Sequence, residues 1–138
     1  MFLNREALII DERNRLKTQI HMGFAHLTPL KATKEFYHQA KIHPGRYADI
    51  GSAYGTDAIH VLKTGAHVVA IDLDQQHLDM MKEQLTVEEH HRLETRCQRF
   101  PEEVNLEPET FEGVLLSRIL IFLTSASCSP YLRISFWY

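Results

Sequence analysis

One short stretch constrains this chain more than any other: Asp49-Ile50-Gly51-Ser52-Ala53-Tyr54-Gly55-Thr56-Asp57. An apolar run, Tyr47-Ala48-Asp49-Ile50, leads into it. A helical pattern with Ala58, Val61 and Leu62 on one side leads out, and Thr64-Gly65 closes that helix. A strand that breaks at a glycine and restarts as a helix is the unit from which parallel sheets are built. Gly51 permits a sharp turn, and Gly55 permits close approach of the backbone to a ligand. The amides that open the following helix form a partly positive end suited to a carboxylate or phosphate.

The next segment supports this reading. His67-Val68-Val69-Ala70-Ile71 is a continuous, β-branched apolar run, the pattern of a strand buried on both faces. It stops at Asp72, which lies 21 residues past Gly51 (72 − 51). An acid about 20 residues beyond such a loop is placed to accept hydrogen bonds from ribose hydroxyls. Asp74 caps a third helix with Leu78, Met81 and Leu85 on one face, and polar residues 86–94 extend or follow it. Thr95 to Gln98 predicts a third strand and Phe111 to Leu116 a fourth. Ile119 to Leu123 begins another helix or a covered segment.

Before this region the chain reads as helical. Thr28-Pro29 is a good helix start, Ala32, Phe36 and Ala40 form a stripe, and Pro44-Gly45 is the exit. A weaker helical pattern covers 4–20, with Ile9, Leu16 and Ile20 on one side. The expected fold class is α/β: a three-layer α/β/α, mostly parallel sheet of about four core strands, with N-terminal helices. Three regions are expected: 1–44 helical, on the substrate side; 45–124 the ligand-binding unit; and 125–138 a Ser-rich and aromatic tail. That tail (Tyr131 to Tyr138) covers the edge of the fourth strand or pairs with another copy.

Composition removes several alternatives. No run approaches the roughly 18 apolar residues of a membrane span, because Ser117 and Arg118 break the longest candidate. Arg5, Glu6, Asp11 and Glu12 interrupt any secretory signal, and Cys97 and Cys128 form no disulfide framework. Both observations predict a reducing, cytoplasmic setting. A net charge of −3 gives no sign of nucleic acid. Eight Lys/Arg against five Asp/Glu in residues 1–50 become seven against thirteen in the remainder, a balance that suits a cationic ligand. His90-His91 are adjacent, His21 and His26 lack the i, i+4 spacing, and no HExxH occurs, so no metal site is expected.

The loop departs from the dinucleotide fingerprint G-x-G-x-x-G, since Ala53 and Thr56 stand where glycines are required. It resembles instead the cofactor signature of class I S-adenosylmethionine-dependent methyltransferases, a Rossmann-like family, over about Gly45 to Leu123. The matching residues are Asp49-Ile50-Gly51-Ser52-Ala53-Tyr54-Gly55 and Ala70-Ile71-Asp72-Leu73, with Ala53 in place of the usual middle glycine. A left-handed backbone at Ala53 would cost ~1–2 kcal/mol.

The resemblance implies S-adenosylmethionine as cofactor. It implies that the Gly51–Gly55 loop, with Asp49, Ser52, Ala53 and Tyr54, holds its methionine end. Asp72 would take both ribose hydroxyls and Leu73 would cover adenine. Arg99 and Phe100 would border adenine, with a backbone contact near Phe100 replacing the family's usual acid. Ser117 would lie near the methyl group and Arg118 on the substrate side. No catalytic base is identifiable. A complete fold of this family has about seven strands, so the chain reads as C-terminally shortened. The expected function is methyl transfer to an unidentified acceptor, with a small molecule favoured. A catalytically inactive nucleotide-binding module and an NAD-dependent oxidoreductase are the alternatives.

Overall fold

In the computed structural model, residues 15–17, 24–26, 31–107, 110–116 and 136–137 are described. Two short strands, β1 (Arg15–Lys17) and β2 (Phe24–His26), pair antiparallel, Leu16 opposite Ala25. Helix α1 (Lys31–Ile42) leads to β3 (Arg46–Ile50), α2 (Thr56–Lys63) and β4 (His67–Asp72). Then come α3 (Gln75–Glu83), α4 (Val87–His91), β5 (Leu93–Cys97), β6 (Gly113–Leu115) and β7 (Phe136–Trp137).

The main sheet has the order β5-β4-β3-β6-β7, and every neighbouring pair is parallel. The chain winds outward from β3 to β5, then returns to place β6 on the other side of β3. That reversal makes the carboxyl ends of β3 and β6 a topological switch point, the place where open α/β sheets bind ligands.

Alternation along the strands explains the layers. Tyr47, Val68, Ala70 and Leu115 face one side and pack against Phe36 and Ala40 of α1, Ala58, Val61 and Leu62 of α2, and Leu78 and Met81 of α3. Ala48, Ile50, Val69, Ile71, Val114 and Leu116 face the other side, where Phe100, Val104 and Leu106 cover them. Tyr47 links helix to sheet: its ring meets Phe36 edge-on at 5.5 Å, and its hydroxyl donates to the His43 carbonyl at 2.6 Å.

Two sequence expectations change. Residues 15–17 are strand, not helix. The triplet Arg15-Leu16-Lys17 alternates polar and apolar, so it suits a strand as well as a helix, and pairing with β2 gives its backbone partners that a short, weakly amphipathic helix would have to supply alone. Of the two alternatives for the polar stretch 86–94, the second holds as far as His91, where a separate helix follows α3, but the end of the stretch is strand. Thr86 and Glu89 close a capping box that starts α4 afresh, and β5 begins two residues early, at Leu93. The expected segment at Ile119–Leu123 lies outside the described residues, as do Thr28 and Pro29.

Candidate cofactor-binding site

The loop after β3 is held against the end of β4 by its own backbone. Gly51 turns with φ 75°, and the amides of Gly51 and Ser52 both donate to the Ile71 carbonyl, at 2.7 and 3.1 Å. Ala53 adopts φ 47°, the left-handed region that an L side chain enters only at a cost. This turn aims the Ala53 amide at Asp72, whose Oδ2 accepts it at 2.8 Å. Gly55 (φ 83°) starts α2, and its amide donates to Ser52 at 2.9 Å. A Cβ at Gly55 would stand 2.5 Å from Met81 Cγ. Its bareness therefore serves the packing of α3 on the loop.

Asp72 is 8% exposed and well supplied with donors. Besides Ala53, the Asp74 amide donates to Oδ1 at 2.9 Å, and His77 Nδ1 stands 2.9 Å from the same oxygen. Both oxygens of the carboxylate thus already have partners within the chain. Asp74 caps α3 as expected, accepting from the Gln76 amide at 2.9 Å. His77 escaped the sequence reading because histidines were weighed there only as metal ligands. The available signal was its place in the first turn of a helix that starts just after a strand-ending acid.

Asp49 is 3% exposed. Burial, followed by the negative charges of Asp57 and Asp72, raises its carboxyl well above the usual carboxylate range; a hydrogen bond from the Ala58 backbone partly opposes this. Its Oδ2 has no hydrogen-bond partner among the described residues, and neither does Ser52 Oγ. A buried oxygen of this kind costs free energy unless something meets it. Asp57 accepts from the Tyr37 hydroxyl of α1, so that helix is tied to the start of α2. Burial first, then the charge of Asp57, pushes the Tyr37 phenol far above its ordinary value.

The remaining predicted residues divide. Leu73 is half-buried beside Asp72, and its carbonyl accepts from the Cys97 thiol at 3.3 Å. Arg99 is exposed, and its amide donates to Glu103 at 2.9 Å. The Tyr54 and Phe100 side chains turn inward. Tyr54 is buried beneath the loop, its ring 4.6 Å from that of His77, and Phe100 belongs to the second core layer. Both are large apolar rings at the rim of a sheet whose two faces must be covered, and burial wins over display. Ser117 and Arg118 lie outside the described residues. Among the described residues no cluster of metal-ligating side chains occurs, and no helix is long and apolar enough to cross a membrane.

A topological switch point, a glycine loop tied to a strand-end acid and an unsatisfied buried carboxyl oxygen come together at the carboxyl edge of the sheet. Residues 48–133 match the methyltransferase domain family, and the chain belongs to that family. S-adenosylmethionine is the cofactor this membership implies. Among solved structures, the glycopeptide N-methyltransferase MtfA in complex with sinefungin is similar, with a TM-score of 0.58 and 18% identity. That match covers 70% of this chain and 40% of MtfA. The MccD protein is similar with a TM-score of 0.51 and 17% identity, over 62% of this chain and 39% of MccD. This chain thus spans less than half the length of either. No curated protein matches the sequence.

Proposed function

We propose that this chain binds S-adenosylmethionine and belongs to an enzyme that transfers its methyl group to a small-molecule acceptor. The observation that carries the reading is Asp49, a buried carboxylate with an unpartnered oxygen, standing beside the loop that Asp72 anchors. The burial of Asp49 is costly for an isolated protein and is offset by a cation placed against it. The cofactor, when bound, supplies an electrophilic methyl group on a positively charged sulfonium, together with a cationic amine. In this reading Asp49 and Ser52 hold its methionine end, Asp72 its ribose, and Leu73 its purine. On the same reading 45–124 is the cofactor unit, 1–44 belongs to the acceptor side, and β7 of the 125–138 tail extends the edge of the sheet. Methyl transfer asks chiefly for alignment of two reactants, which a rigid loop and a fixed acid provide without a dedicated base.

Nicotinamide binding is disfavoured by Ala53 and Thr56, which occupy two of the three glycine positions of the dinucleotide loop. The setting we propose is cytoplasmic. β7, outermost among the described strands, is the edge at which a second copy would pair, which sedimentation tests.

The decisive measurement is thermal melting with S-adenosylhomocysteine. Ligand at 100 times its dissociation constant stabilises the fold by ~2.7 kcal/mol. No shift at millimolar ligand would falsify the proposal. Transfer of a radiolabelled methyl group to candidate acceptors then separates an enzyme from a binding module.

A further inference from the structure

His77, in the first turn of α3, contacts Asp72 and is only 2% exposed. Its Nδ1 lies 2.9 Å from Asp72 Oδ1, its Nε2 lies 3.8 Å from Asp74 Oδ2, and the Tyr54 ring tilts over it at 58°. An ionised carboxylate only accepts, so the 2.9 Å contact requires the hydrogen on Nδ1.

The arithmetic of acceptor positions is informative. A carboxylate offers about four, two on each oxygen. On Oδ1 the Asp74 amide and His77 take both. On Oδ2 the Ala53 amide takes one. A single position is left, on the oxygen nearer the loop.

We propose that His77 is a positioning residue for cofactor binding. By donating its Nδ1 hydrogen to Oδ1 it locks the rotation of the Asp72 carboxylate, so that Oδ2 presents its one remaining acceptor position to a ribose hydroxyl. This deepens the S-adenosylmethionine reading above and rests on it. A consequence is that Asp72 accepts from one ribose hydroxyl while Ala53 keeps its bond. Without His77 the carboxylate can rotate about its Cβ–Cγ bond and lose that alignment. The charged groups that face the imidazole, Asp72 and Asp74, are both acids. Both therefore favour an N–H directed at them.

The test is titration calorimetry on the wild type, His77→Leu and His77→Asn, each with S-adenosylhomocysteine and with its 2′,3′-dideoxyribose analogue. The amide nitrogen of asparagine falls near the position of Nδ1. His77→Leu is expected to weaken S-adenosylhomocysteine about tenfold, a loss of ~1.4 kcal/mol. It should leave the affinity for the dideoxy analogue at the wild-type value, and His77→Asn should restore most of the loss. Equal losses with both ligands would mark His77 as merely structural and overturn the proposal. Unchanged affinity in His77→Leu would overturn it too, while leaving the cofactor reading intact. A wild type that binds neither ligand removes the cofactor reading and this inference together. Should His77→Leu fail to fold, nitrogen-15 NMR of the unliganded wild type decides: hydrogen on Nδ1, with a signal that moves in Asp72→Asn, upholds the proposal, and hydrogen on Nε2 alone refutes it.

Discussion

The two ends of the parallel sheet treat charge in opposite ways. Near its amino end, Arg46 meets Glu94 at 3.2 Å, donates to the Thr110 hydroxyl and lies 4.5 Å over the Phe111 ring. Glu94 also accepts from Arg96 at 2.7 Å, and the carboxyl group is held below its ordinary range by Arg96 first and Arg46 second. Arg92 donates to the carbonyls of Leu62 and Ala66. At the carboxyl end, Asp49, Asp57 and Asp72 gather close enough to raise the Asp49 carboxyl, and Asp49 keeps a buried oxygen unmet among the described residues. One end is built for the chain itself. The other is stable only because backbone amides, a tyrosine and a histidine share the load, and this is where a ligand would improve matters.

Substitutions can break that contrast, and the largest effect is expected at Asp72. Asp72→Ala strands the Ala53 and Asp74 amides and the His77 ring, so it should lower unliganded stability by roughly 2–4 kcal/mol in urea unfolding. The sequence shows the acid but not these internal partners. Gly55→Ala comes next, at about 2–3 kcal/mol, because it combines a positive φ with a collision against Met81. Added Met81→Ala should recover the steric part but not the backbone part.

Asp49→Asn acts in the other direction. A raised carboxyl means that the folded chain holds its proton to higher pH than the unfolded chain does. Stability therefore falls as pH rises from the unfolded carboxylate range, near 3.9, through the folded value. The variant lacks this loss and should melt roughly 3 °C higher than wild type at pH 7. The gap should close as pH approaches 4, and a gap independent of pH would mean Asp49 is not the source. Ala53→Gly relieves the left-handed turn but frees the unfolded chain, for a net gain of about 0–1 kcal/mol. Smallest of all, Glu94→Gln should cost under ~1 kcal/mol, since its pairs are substantially exposed. A larger loss there would erase the distinction between the two ends.

Much of this was legible in the residues, because apolar period and turn chemistry are local. The continuous run His67 to Ile71, the break at Gly51 and the cap at Asp74 each specify their element without help from distant chain. What was not legible depends on distant partners. Nothing near Tyr54 says that its ring will turn inward to meet His77, and nothing near Arg15 says that Phe24–His26 will pair with it. The packing contact of Gly55 was hidden for the same reason: its neighbour Met81 is 26 positions away (81 − 55).

That neighbour has a kinetic meaning. With the thioether wedged against Gly55 and four loop amides already bonded, the binding loop has little freedom left to surrender when a ligand arrives. Such preorganisation moves the ordering entropy from the encounter to the folding step. Association should then proceed in a single phase that scales with ligand concentration, without a slow rearrangement following capture.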